Sequence, residues 1–89
     1  MSNPKNTIRI VVVTTADDVD DEFNLNQPLQ VVFNRALHEV GGEGNRDQFA
    51  LEYNDVVLPD LSRKIGDLAT EFGWVDGVVL DLVPKPVVV

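Results

Sequence analysis

The sequence predicts an α+β fold in which a sheet packs on one long helix. Three observations predict it: a β-branched run near the N-terminus, one apolar stripe at helical spacing in the middle, and short alternating segments bounded by turn residues on either side. With 89 residues and 44% hydrophobic content, the chain has material for one domain with one modest core. A domain this small buries only about 60% of the surface its unfolded chain exposes.

Residues 1–6 form a polar leader, and the domain proper is expected over 7–83. From Thr7 to Thr15, Ile8, Ile10 and Val12 alternate with Arg9 and Val11, the period of a strand with one buried face. The stretch Asp17-Asp18-Val19-Asp20-Asp21-Glu22 carries five carboxylates in six positions. Such a run repels itself when packed, so a solvated hairpin turn is expected there. Glu22 to Asn26 then alternates as a second strand, with Phe23 and Leu25 inward.

Pro28 suits the first turn of a helix, where its missing N–H has no intrahelical partner to lose. Leu29, Val32, Phe33, Ala36, Leu37 and Val40 follow at i, i+3, i+4, i+7, i+8 and i+11, which makes one apolar stripe. Gly41-Gly42-Glu43-Gly44-Asn45 supplies a left-handed stop and a flexible turn. Phe49 to Tyr53 alternates again, Asn54-Asp55 is a two-residue turn, and Val56 to Leu58 returns before Pro59. Asp60 is placed to cap a short second helix in which Leu61, Ile65, Leu68, Ala69 and Phe72 share a face. Gly66 inside it weakens the helix by about 1 kcal/mol relative to Ala, and a partly irregular segment is the alternative. After the Asp76-Gly77 turn, Val78 to Val83 is a last strand with Val78, Leu80 and Leu82 on one side. An extended tail over 84–89 follows, stiffened by Pro84 and Pro86 and projecting from that strand.

Composition removes several classes of function. Seven Lys and Arg stand against 15 Asp and Glu, a formal charge of −8, which opposes a nucleic-acid backbone or an anionic membrane as partner. The absence of cysteine removes disulfides, thiolate zinc sites and a cysteine nucleophile, and suits a reducing compartment. With no signal-like apolar stretch at the N-terminus and no run long enough to span a bilayer, a soluble cytoplasmic protein is expected.

A hairpin, a helix across it, a short strand pair, a small second helix and a last strand with an extended tail resemble the ubiquitin-like β-grasp roll, ββαββ with a short second helix and a mixed sheet packed on one helix. Leu51-Glu52-Tyr53-Asn54-Asp55-Val56-Val57-Leu58 is similar to the ubiquitin segment that runs from the middle strand through a tight turn to a leucine. Lys64-Ile65-Gly66-Asp67-Leu68 resembles the Thr-Leu-Ser-Asp-Tyr stretch before ubiquitin's last strand. The nearest group by this resemblance is the small bacterial ubiquitin-like proteins of conjugation operons. It implies a protein modifier with no catalytic residues of its own and no cofactor. The implied partners are an activating-enzyme-like protein that uses ATP, a conjugating-enzyme-like protein, and a deconjugating or processing peptidase.

The conjugation tail would be Pro84, Lys85, Pro86, Val87, Val88 and Val89, and the partner-binding face would centre on Glu52 and Asp81, flanked by Ala50 and Val79. Ubiquitin presents an apolar patch on that face, so receptors built for one should discriminate against these carboxylates. The tail departs too. Modifiers of the ubiquitin type end in Gly-Gly, whereas residues 84–89 hold no glycine and the last one is Gly77, before the closing strand. Lys5, Lys64 and Lys85 are the side-chain amines available for chain formation. The alternative is a β-grasp interaction module that is not conjugated, with its valines packing on a partner.

Other candidate sites have simpler explanations. The acidic run lacks the glycine and distal glutamate of an EF-hand loop, so a solvated turn is favoured over a Ca²⁺ site, with steering of a basic partner as a further use. His38 is expected on the exposed side of the helix, and Ser62 has no spacing that gathers a base and an acid around it. The glycine-rich stretch at 41–44 follows a helix and precedes a strand, the reverse of a phosphate-binding loop. Phe72 and Trp74 are expected to close the bottom of the core.

Overall fold

A computed structural model of the chain describes residues 6–85. The elements in order are β1 (Thr7–Val13), β2 (Val19–Asn24), α1 (Gln30–Val40), a 3-10 stretch (Glu43–Gln48), β3 (Phe49–Tyr53), β4 (Val56–Val57), α2 (Ile65–Phe72) and β5 (Val78–Pro84). One sheet runs in the order β2-β1-β5-β3-β4, parallel between β1 and β5 and antiparallel elsewhere. This is the α+β β-grasp arrangement the sequence predicted, with the first and last strands, β1 and β5, paired at the middle of the sheet.

The core lies between the sheet and α1. Ile8, Ile10 and Val12 of β1, Leu51 of β3, and Leu80 and Leu82 of β5 are buried against Leu29, Val32, Phe33, Ala36 and Leu37. The helix stripe is therefore as predicted, although α1 begins at Gln30 rather than at Pro28. Pro28 instead bridges to Lys64, and the N–H groups of Leu29 and Gln30 donate to the carbonyls of Arg63 and Leu61 at 2.9 Å each. The loop before α2 thereby satisfies donors that a helix start leaves orphaned. At the other end Gly41 takes φ 65°, and Gly42 N–H reaches back to the Leu37 carbonyl at 2.9 Å, closing α1 as a Schellman stop. The residues beyond it, expected as a flexible turn, form the 3-10 stretch instead.

The second strand is the main correction. Expected from Glu22 to Asn26, it starts at Val19, so most of the acidic run is strand and the turn lies at residues 14–18. Alternation resolves the self-repulsion. Val19 and Phe23 face the core, Asp20 and Glu22 face outward, and Asp21, opposite Ile10, reaches toward Arg35 of α1. Carboxylates on an edge strand also discourage a second sheet from pairing there. Leu25, expected inward in the strand, follows β2 and is half-buried.

Asp60 does not cap α2. It accepts hydrogen bonds from the backbone N–H and hydroxyl of Ser62, while Lys64 precedes the helix. Phe72 is 38% exposed, so Trp74 alone of that pair is a core residue. Phe72 stacks on Trp74 at 5.8 Å, and Tyr53 packs edge-on against Trp74 at 5.4 Å.

Candidate functional site

Strand alternation sends Val12, Leu51, Leu80 and Leu82 inward, so their neighbours make up the outer face of the sheet. In the ladder, Val13 stands beside Asp81, Asp81 opposite Glu52, and Glu52 opposite Val57. One row across four strands therefore reads Val13, Asp81, Glu52, Val57. Val79 beside Val11 and Ala50 opposite Val83 flank it on the same face. Val13, Val57 and Val79 are 38%, 45% and 48% exposed, Glu52 and Asp81 are half-buried, and Ala50 is buried.

The face predicted from sequence is thus brought together, with a frame the sequence reading missed. Val13 and Val57 belong to the row only because β5 lies between β1 and β3, an order that hydrophobic periodicity within single segments does not reveal. Like charges directly opposite one another destabilise a sheet. Among the described residues neither Glu52 nor Asp81 has an ion-pair partner. The face offers a pair of carboxylates inside an apolar rim.

The tail residues divide. Pro84 lies within β5 opposite Phe49, and the Lys85 N–H donates to the Gln48 carbonyl at 2.7 Å. Pro86, Val87, Val88 and Val89 lie outside the described residues. Lys64 precedes α2.

The remaining candidates are accounted for by local contacts. Asp20 holds Arg9 through two hydrogen bonds of 2.7 and 2.6 Å, and this lowers its carboxyl below the ordinary carboxylate range while raising the Arg9 guanidinium. The hydrogen bonds from Ser62 lower Asp60 likewise. His38 is exposed, with Nδ1 3.2 Å from a Glu43 carboxylate oxygen. Among the described residues no three His, Cys, Asp or Glu gather as a metal site, and no helix is long and apolar enough to cross a membrane.

No family model matches the chain, and no curated protein matches it in sequence. Solved structures do. A ubiquitin from Caldiarchaeum subterraneum is similar at 18% identity and TM-score 0.69, over 91% of this chain and 96% of that one. The C-terminal ubiquitin-like domain of human 2'-5'-oligoadenylate synthetase-like protein is similar at 20% identity and TM-score 0.68, over 100% and 95%. The ubiquitin-like domain of an Arabidopsis thaliana protein matches at 17% identity and TM-score 0.65, over 93% and 82%. At these identities the likeness is one of fold, and the fold of this chain is the ubiquitin-like β-grasp.

Proposed function

We propose that the chain is a ubiquitin-like protein modifier of the kind found in bacterial conjugation operons. An activating-enzyme-like partner and then a conjugating-enzyme-like partner take it up through the segment from Pro84 onward, and a peptidase processes or releases it. The observation that carries this reading is the end of β5. The strand lies at the middle of the sheet and delivers the chain at Lys85 to the rim of a domain whose outer face carries exposed valines and, among the described residues, the carboxylates of Glu52 and Asp81 without an ion pair. The domain contributes binding and a reactive chain end, and the ATP-dependent step belongs to the partner.

The second reading, a ubiquitin-like interaction module that is not conjugated, is favoured by the glycines. Gly77, the last of them, donates its N–H to the Arg9 carbonyl at 2.9 Å in the turn before β5. Cleavage there removes Leu80 and Leu82 from the core. Residues 84–89 are themselves Pro-flanked and β-branched and contain no glycine.

Incubation with a candidate activating-enzyme-like protein and ATP separates the two. An adduct whose mass places the bond within or after residues 84–89 supports the modifier. Unchanged protein that co-purifies with its partner, and loses it on Asp81→Lys, supports the module.

A further inference from the structure

The outer face of the sheet is an apolar patch with two charges set inside it. Val13, Val57 and Val79 are exposed there, and half-buried Val11 and Val83 with buried Ala50 lie beside them in the ladder. The core and α1 occupy the opposite side of the sheet. An exposed apolar patch with polar groups at its edge marks a surface that another molecule covers, but its apolar part does not say which molecule.

The charges do. The Lys85 N–H bonds to the Gln48 carbonyl, and the register between β3 and β5 runs from there without a break, so Glu52 and Asp81 are a hydrogen-bonded pair. Their Cα atoms are then about 5.5 Å apart, and both side chains leave the same face. Like charges directly opposite one another destabilise a sheet. Half-burial among valines raises that cost, because less water screens the repulsion. The carboxylates of β2 do have cations: Asp20 holds Arg9 at 2.6 Å, and Asp21 lies 3.8 Å from Arg35. Glu52 and Asp81 have none among the described residues. Arg9, the cation of this face, is taken by Asp20. Arg35 and Arg63 are paired with Glu39 and Glu71, Arg46 belongs to the 3-10 stretch, Lys64 precedes α2, and Lys85 follows β5 about 13 Å along the strand from Asp81.

We propose that the outer face takes an arginine side chain of a partner protein. Its guanidinium bridges Glu52 and Asp81, and the apolar residues on either side of it pack on Val13, Val57 and Val79. Arginine fits better than lysine because its planar fork carries five donors and reaches two carboxylates at once. It is also more weakly hydrated than an ammonium group, which suits a half-buried, valine-lined place. The inference rests on the reading of this face as a docking surface and adds the chemistry of what docks. Peptide binding to the face and transfer of the chain end are measured separately, so either reading can fail without the other.

The test titrates the ¹⁵N-labelled full chain with three blocked peptides in which valine alternates with arginine, with lysine or with citrulline, the neutral analogue of arginine. The arginine peptide should shift the amides of Val13, Glu52, Val57, Val79 and Asp81 saturably and bind roughly fivefold or more tighter than the citrulline peptide. Glu52→Gln with Asp81→Asn should remove that difference and leave the citrulline peptide unchanged, in a variant whose spectrum remains dispersed. Equal binding of the arginine and citrulline peptides overturns the proposal, as do shifts centred on Asp20, Asp21 and Glu22 or no saturable shift at millimolar peptide. A lysine peptide that binds as tightly as the arginine peptide overturns the choice of arginine. Lys5→Gln is the control for the cation that lies outside the described residues. If that substitution alone moves the amides of Glu52 and Asp81, the chain's own lysine fills the place, and the proposal also fails.

Discussion

The N–H of Gly66, in the first turn of α2, donates to the Leu25 carbonyl at 2.8 Å, and a Cβ built at Gly66 would lie 3.0 Å from that same oxygen. The glycine therefore belongs to the contact between α2 and the end of β2, where the helix must approach the backbone. In an exposed helix, Gly→Ala stabilises by about 1 kcal/mol. Here Gly66→Ala is expected to destabilise instead, by about 1 kcal/mol, because the oxygen it crowds is held in place by the hydrogen bond itself. Urea unfolding of the two proteins checks the sign.

Arg9 and Asp20 give stability a defined pH dependence. The hydrogen bond from Arg9 lowers the folded-state pKa of Asp20, so its contribution is fully present above the ordinary carboxylate range and is lost as pH falls through that lowered value. Asp60, lowered by Ser62, acts in the same direction. Asp20→Asn should therefore cost stability near neutrality, and the difference from the parent should shrink on acidification. Urea midpoints at about pH 6 and about pH 3 measure it.

Glu52 and Asp81 stand opposite one another, and among the described residues neither has an ion-pair partner. Glu52→Gln should raise stability by roughly 0.5 kcal/mol at low ionic strength, with the gain reduced as salt screens the repulsion. The same substitution should weaken any partner that docks on the outer face through a basic group. A variant that is more stable and binds less well identifies a residue kept for recognition.

Leu80 is fully buried where β5 pairs with Val12. Leu80→Ala should cost about 2–5 kcal/mol, a large share of the roughly 5–15 kcal/mol that holds a domain folded. The single tryptophan reports it directly. Trp74 is 7% exposed against Tyr53 and Phe72, so its emission should shift to the red at the unfolding transition, at a lower denaturant concentration in the variant.

Elements whose local pattern and tertiary role agree were legible in the sequence. β1 and α1 carry one apolar face each, and that face is the one they bury. The Asn54-Asp55 turn was legible for the same kind of reason, since both residues take positive φ, 51° and 66°, as a two-residue hairpin requires. β2 was not. Asp20, Asp21 and Glu22 read as a turn because five neighbouring carboxylates outweigh the two core residues Val19 and Phe23, and only the register with β1 shows them dispersed to the edge. Asp60 looked like a helix cap because the residue it does bond, Ser62, sits in a turn that has no sequence period. Of the outer sheet face, Ala50, Glu52, Val79 and Asp81 were expected from the resemblance to ubiquitin, whereas Val13 and Val57 required the strand order.

The most direct test of the modifier reading is the covalent state of the protein recovered from the cells that make it, by intact mass followed by peptide mapping. A conjugated modifier is recovered with a population in which the chain is joined, through a backbone carboxyl at or after Pro84, to an amine of another protein, and in which a deconjugating peptidase removes that link. Recovery of the chain solely as an unlinked species, with residues 84–89 ending in a free carboxylate while a partner remains bound, would contradict it and leave the interaction module in its place.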